Sequence, residues 1–320
     1  MSEHNLTLSD PLTKRILGWM DERFPFVNAV GFFMVYLCVA AIARFSASEG
    51  ALEVSLVDVG GCLATWAYFL VLRVFDEHKD YDLDVLNHPG RVLQSGMITL
   101  NHLRNMAIAA IVVQVLWSFY RDFTFGPTMI AWCIMFLWSS LMAKEFFIGE
   151  WLEKRLTLYA FSHMIVMLPV VWWISNMASP GLALTPIVMT MMSLSFFGGF
   201  CFEITRKTRG PEEERDTVDS YSKVFGTQGS AFVIIGLLIV MFIHQVVLIN
   251  LIVSSGFWIG YGFLVAFFLL ALYQIIRFIK EPTEKGREKN EAMVGVGTMI
   301  AYIVLISAVI TDRGISFSMI

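Results

Sequence analysis

The chain has 320 residues, of which 57% are hydrophobic and only 16% charged, and its mean hydropathy is +0.66. Soluble domains carry charge on about a quarter of their residues, so this composition excludes an ordinary soluble enzyme. The formal net charge is −4, and the basic residues form no soluble patch, which argues against a nucleic-acid partner.

Residues 1–23 are polar and lack the apolar core of a cleavable leader. Leu12, Ile16, Leu17, Trp19 and Met20 are spaced to line one face of a short helix on the membrane surface. Residues 1–26 read as an N-terminal cytoplasmic or interfacial segment, either such a helix or a simple lead into the first span, and residues 27–320 as one membrane domain. Nine apolar runs follow, at 27–43, 54–75, 105–119, 128–147, 158–175, 184–202, 231–249, 257–276 and 292–310. A helix of about 20 residues crosses a hydrocarbon core of about 30 Å. The expected fold is therefore all-α, a nine-helix transmembrane bundle around a central cavity open to the cytoplasmic side.

Nine crossings put the two ends of the chain on opposite sides. Of the 23 Lys and Arg residues, 20 fall on the side of the N-terminus and of the loops after the second, fourth, sixth and eighth runs. The positive-inside rule makes that side cytoplasmic, with the C-terminus outside. A prokaryotic inner membrane is the expected location. Cys38, Cys62, Cys133 and Cys201 all lie in apolar runs without metal-site spacing and read as small buried hydrophobes. Asp58 falls near the outer end of the second run, close enough to the interface to be hydrated. His163 and His244 read as helix–helix hydrogen-bonding residues.

Two acidic clusters stand at the cytoplasmic ends of the second and sixth runs. The first holds Asp76, Glu77, Asp80, Asp82 and Asp84, followed by Asn87-His88-Pro89-Gly90-Arg91. Asp76, Asp80 and Asp84 are spaced i, i+4, i+8, so a helix continuing past Phe75 places them on one face. Three like charges in a row repel unless neutralised. Mg²⁺ suits them, since it takes carboxylate oxygens together with phosphate and water. The turn after Asn87 returns Arg91 toward the carboxylates, where its planar fork fits a phosphate. Lys79 sits on a neighbouring face. The second cluster holds Glu203 and then Glu212, Glu213 and Glu214, interleaved with Arg206, Lys207, Arg209 and Arg215. Tyr68 and Phe69 precede the first cluster on its helix, and Phe196, Phe197 and Phe200 precede the second. Most aromatics of the chain read as membrane packing or interface belts, and any of these that faced a central cavity would offer a ring face to a cation.

The run from Asp76 to Asp84, with His88-Pro89-Gly90-Arg91 and Ser95-Gly96 after it, resembles the first aspartate-rich motif of the UbiA superfamily of membrane prenyltransferases. The motif has the form NDxxDxxxD followed by a His-Pro-x-Arg-like stretch. Nine helices, with acidic motifs after the second and sixth, are also similar to that family's layout. The resemblance implies that Asp76, Glu77, Asp80 and Asp84 hold Mg²⁺ and, through it, the diphosphate of an isoprenyl donor. It implies that Arg91 contacts that diphosphate. The second motif departs from the family: Glu203 and Glu213 stand where aspartates are usual, and Asp219 lies about where a lysine is expected. Arg206, Lys207 and Arg209 either replace that lysine or pair with the glutamates.

The expectation is a Mg²⁺-dependent transferase moving an isoprenyl group to an aromatic or other lipophilic acceptor within the bilayer. Catalysis would rest on Asp76, Asp80, Asp84, Glu203 and Arg91. Lys79, Arg91, Arg206, Lys207 and Arg209 would bind substrate, and Asp76, Glu77, Asp80, Asp84, Glu203 and Glu213 would bind metal. The alternatives are a terpene cyclase of the same superfamily and a non-enzymatic cation- or lipid-binding membrane protein.

Overall fold

The computed structural model describes residues 6–215, 218–254 and 256–318. Its backbone is helical almost throughout. Helix α1 (Leu12–Arg23) precedes α2 (Asn28–Ala47), α3 (Leu56–Lys79), the short α4 (Tyr81–Asn87), α5 (Leu100–Asp122) and α6 (Pro127–Ala143). Then come α7 (Gly149–Glu153), α8 (Leu156–Met164), α9 (Met167–Ala178), α10 (Pro186–Arg206), α11 (Tyr221–Ile252), α12 (Trp258–Lys280) and α13 (Glu284–Arg313). Among the described residues eight helical segments, α8 and α9 counted as one, are long and apolar enough to cross a membrane. The apolar α6, with 17 residues, is shorter. At 1.5 Å per residue it extends roughly 26 Å.

Local sequence sets the boundaries. Ser55 and Asp58 form a reciprocal cap at the start of α3, and Thr99 and His102 do the same for α5. Pro127 and Pro186 open α6 and α10, where a missing N–H costs nothing. The fifth apolar run, expected as one helix, is broken between Met164 and Met167. Pro169 explains this, because its ring crowds the carbonyl four residues earlier, that of Ile165, and offers it no donor. In α11 the chain kinks at Gly226, whose φ of 72° is open to glycine without strain.

Helix α2 contacts α3, α9, α10 and α13. Its stretch Cys38, Val39, Ala40, Ala41, Ile42 and Ala43 is at most 2% exposed, and such small residues let helices approach closely without a hydrophobic drive from water. A second, smaller core joins α1 to α3 and α5 through Trp19, Met20, Leu70, Val74 and Leu103. Trp19 and Met20 thus face protein, while Leu12 and Leu17 of the same helix stay exposed.

The far end of the bundle holds two departures from expectation. Residues Leu52–Ser55 and Ile315–Ser318 form a parallel two-stranded ribbon, with Leu52 opposite Ile315, so the fold is α-helical with one short β-pair. Asp58, expected to be hydrated, is 4% exposed. It accepts hydrogen bonds from both Arg44 Nη atoms (2.7 and 3.1 Å), the Tyr36 hydroxyl (3.0 Å) and the Ser55 amide (2.9 Å). Removing one partner of a buried pair strands the other charge. Asp58→Ala is accordingly expected to destabilise the protein by about 3 kcal/mol, read as a lower thermal midpoint in detergent.

Candidate active site

Helix α3 runs to Lys79, and Asp80 then takes φ −92° and ψ 5° before α4 begins. The break is slight. Asp80 N donates to Asp76 O, Asp84 N to Asp80 O and His88 N to Asp84 O, each at 2.8 Å. The i, i+4, i+8 ladder therefore persists through the turn, but the side chains part company. Asp76 makes no hydrogen bond or ion pair with any described residue, and Asp80 has only the Lys79 ammonium at 3.8 Å. Burial, reinforced by Asp84 and Glu145 and opposed by Lys79, raises the Asp80 pKa above the usual aspartate value. Asp84 is instead held by Arg91 at 2.8 Å and by Arg23 of α1 at 3.5 Å. The turn does fold Arg91 back onto a carboxylate, and Glu22 lies 3.7 Å from it on the other side.

Glu77 projects elsewhere. Its side chain is wholly buried, with Arg23 at 2.6 Å and Arg73 at 2.7 Å. One residue along a helix is a turn of about 100°, enough to separate Glu77 from the side that carries Asp76 and Asp80. Asp82 is exposed.

Across from α3, Glu203 near the end of α10 receives Arg206 at 2.7 Å and Lys207 at 2.8 Å. Arg206 also lies within electrostatic reach of Asp76. Tyr159 of α8 joins the two clusters. Its hydroxyl accepts from Lys79 Nζ (2.7 Å) and donates to Glu145 (2.9 Å). Its ring lies 5.4 Å from Lys79 Nζ and 5.9 Å from Lys207 Nζ. Asp76, Asp80, Lys79, Glu203, Arg206 and Lys207 are thereby gathered at one end of the bundle.

Glu145, Tyr159 and His163 belong to this gathering and were not singled out as site residues from sequence. Glu145 sits 3.0 Å from Lys79 Nζ and 3.5 Å from His163 Nε2. It opens a run of three non-glycine residues in left-handed conformation, with φ of 48° at Glu145, 53° at Phe146 and 61° at Phe147. Such residues cost of order 1–3 kcal/mol each and persist only where the surroundings hold them. Here Phe146 packs edge-on to Trp138 and His163, while Lys79 and Tyr159 hold the carboxylate. The available sequence signal was position alone: an acid at the end of an apolar run, on the same side as both clusters.

A cleft of about 10 Å³ is lined by Phe75, Asp76, Lys79, Met142, Ala143 and His163. That is about one water's room. A larger groove of about 350 Å³ lies toward the other end of α3, lined by Gly60, Leu63, Val113, Leu116 and Trp117. Its lining carries no titratable group.

The second acidic loop is tied down by its own charges. Glu213 receives Arg287 at 2.6 Å and the Gly210 amide at 3.2 Å. Glu212 accepts from the Glu284 amide (2.9 Å), and Glu214 from Ser220 (2.8 Å). Gly210 packs so closely on Pro282 that a Cβ would come within 2.3 Å of its carbonyl oxygen. Glu213 thus fastens the loop to the start of α13. Arg209 has no ion-pair partner among the described residues. Of the aromatics, Tyr68 bonds Ser139 (2.9 Å) and Phe69 stacks on Phe32 (4.2 Å). Phe196 and Phe200 cluster with Phe161, and Phe197 packs on His244.

The carboxylates suit a shared ion rather than a permanent cage. Among the described residues no three His, Cys, Asp or Glu side chains converge as a ready ligand set. Asp76 without a partner and Asp80 one turn on match what Mg²⁺ takes from a protein: one or two carboxylates, with substrate phosphate and water completing its shell.

A multi-pass helical bundle with acids and cations collected at one end of its spans defines an integral membrane protein. The UbiA prenyltransferase family matches residues 29–296, and the chain belongs to it, as a prenyltransferase-type enzyme of the membrane. Among solved structures, one described as digeranylgeranylglyceryl phosphate synthase in membranes is similar, with a TM-score of 0.63 at 16% identity, over 93% of this chain and 99% of that one. At that identity the likeness establishes the fold. A UbiA homolog from Aeropyrum pernix K1 aligns with a TM-score of 0.49 at 13% identity, over 88% of this chain and 97% of the other. No curated protein sequence matches.

Proposed function

We propose that the protein transfers an isoprenyl group from an isoprenyl diphosphate to a lipophilic acceptor inside the bilayer, with Mg²⁺ as cofactor. The observation that carries this reading is the meeting of Asp76 and Asp80 with Lys79, Arg206 and Lys207 around Tyr159. Paired carboxylates sit beside three cations at the edge of an apolar bundle. Asp76 and Asp80 would hold the metal, and Glu203 keeps Arg206 and Lys207 beside it. Bound Mg²⁺ supplies neutralising charge for the departing diphosphate. Lys79, Arg206 and Lys207 donate to the same oxygens as charge develops on them, and Arg91 and Arg209 stand in reserve on the flanking loops. The apolar helices exclude water from the allylic cation, while the isoprenyl tail extends among them toward lipid.

The distribution of Lys and Arg supports a cytoplasmic placement for this end, with the C-terminus outside, as in a prokaryotic inner membrane. The test is isoprenyl-diphosphate binding to purified protein with and without Mg²⁺. Binding that strengthens at least tenfold with Mg²⁺ is expected, and binding indifferent to Mg²⁺ would contradict the assignment of Asp76 and Asp80.

A further inference from the structure

Alkylation of an acceptor by an isoprenyl cation leaves one proton to be removed. The C1–O bond of the donor breaks, and its electron pair leaves with the diphosphate. An electron pair of the acceptor forms the new bond to C1. The acceptor then sheds a proton, and a base must stand within hydrogen-bond reach of it.

The cleft beside Asp76 contains one group in the right state. His163 is 9% exposed, and its Nδ1 lies 2.8 Å from the backbone oxygen of Tyr159. A carbonyl only accepts, so Nδ1 carries the hydrogen, and in the neutral ring Nε2 carries the lone pair. Nε2 is buried without a hydrogen-bond partner among the described residues, and His163 lines the same cleft as Asp76 and Lys79. Glu145 Oε2 faces it, 3.5 Å from Nε2, and is likewise buried without a hydrogen bond among the described residues. A proton taken up at Nε2 would turn this pair of unpartnered atoms into an ion pair. His244, by contrast, has its Nε2 occupied by the Ser193 hydroxyl at 2.9 Å.

The other lining groups are unsuited to the task. Phe75, Met142 and Ala143 hold no lone pair of use. The Lys79 ammonium is already shared between Tyr159 and Glu145, and Asp76 is assigned to the metal. We infer that His163 is the proton acceptor of the transfer reaction, with Glu145 as the positioning residue that stabilises its protonated form. This rests on the transferase reading above. The proton passes from the acceptor to Nε2 and leaves to water as product departs.

The test uses full-length protein in lipid nanodiscs with Mg²⁺, an isoprenyl diphosphate and an acceptor that the unmodified protein alkylates. His163→Ala is expected to lower formation of alkylated product about 100-fold, with the KM for donor within about threefold of the original. The share of released isoprenyl chain appearing as the alcohol should rise, and added imidazole should restore part of the transfer. Alkylation at the original rate would overturn the inference. So would a folded variant that loses donor binding together with transfer, since His163 would then belong to the donor's seat. Should His163→Ala not fold, Glu145→Gln decides: it removes the charge facing Nε2 at nearly constant volume. A loss of about tenfold in transfer at unchanged donor KM supports the pair, and an unchanged rate overturns it. An unmodified protein that releases no diphosphate from any isoprenyl diphosphate removes the transferase reading and the base with it. Full activity in the unmodified protein and in His163→Ala alike removes the base alone.

Discussion

Asp80→Ala will lower Mg²⁺-dependent diphosphate release by about 10³-fold while the protein stays folded. The size of the effect follows from what Asp80 lacks and where it stands. Its one close cation among the described residues is Lys79 at 3.8 Å, so its removal breaks no tight ion pair there and costs little stability. It does remove one of two carboxylates that stand a turn apart without competing cations on both sides. A single preorganised electrostatic contact to a leaving group is worth about 10²–10³ in rate, and loss of a metal ligand acts on every oxygen the metal would touch. Steady-state kinetics together with a thermal melt in detergent check both halves. A variant with unchanged kinetics removes Asp80 from the site. A variant that unfolds assigns it a structural role instead.

Glu77→Ala will do the reverse: it will cost about 3 kcal/mol of stability and leave the Mg²⁺ requirement where it was. The Glu77 side chain is fully buried, and two guanidinium groups converge on its Oε1 at 2.6 and 2.7 Å. Deleting it leaves Arg73 and Arg23 partly buried without their shared anion. Arg23 still has Asp84 at 3.5 Å, which softens the loss. The consequence extends beyond a lower melting point. Arg23 ties α1 to the first acidic loop, and Trp19, 0% exposed, anchors α1 in the smaller core. A thermal midpoint measured alongside the Mg²⁺ concentration for half-maximal activity separates the two possible roles. A shift in the Mg²⁺ requirement at unchanged stability would return Glu77 to the metal-binding role that the family motif implies for it.

The contrast between Asp80 and Glu77 also shows what a sequence carries and what it leaves out. Residues four apart on a helix share a face, so the ladder of Asp76, Asp80 and Asp84 was legible from spacing, and so was the return of Arg91. Partners 54 residues away were not. Nothing near Glu77 in the chain announces Arg23, and nothing near Glu213 announces Arg287. The membrane-spanning architecture was legible because an apolar run of this length has few other uses. Its interruption was written in Pro169, a residue whose effect falls four positions earlier. The ribbon joining Leu52–Ser55 to Ile315–Ser318 pairs segments from near opposite ends of the chain, and no local pattern specifies such a register. Asp58 was placed correctly along its helix, yet the burial that makes it structural depends on Tyr36 and Arg44 of the helix beside it. Glu145 is the most telling omission. A lone acid after an apolar run reads as a surface residue until the left-handed turn at 145–147 carries it to Lys79 and His163.

The central claim is that this bundle ionises an isoprenyl diphosphate with Mg²⁺ and passes the chain to an acceptor. Diphosphate release by the purified protein tests it most directly, across isoprenyl diphosphates of several chain lengths, with and without Mg²⁺, first without an acceptor and then with lipophilic aromatic ones. The account predicts release that requires Mg²⁺, rises sharply when the right acceptor is present and yields an alkylated product. Release that proceeds at full rate without any acceptor, giving a cyclised hydrocarbon or alcohol, would contradict the transferase reading. An absence of both binding and release under every condition would contradict the assignment of this site to isoprenyl diphosphates altogether.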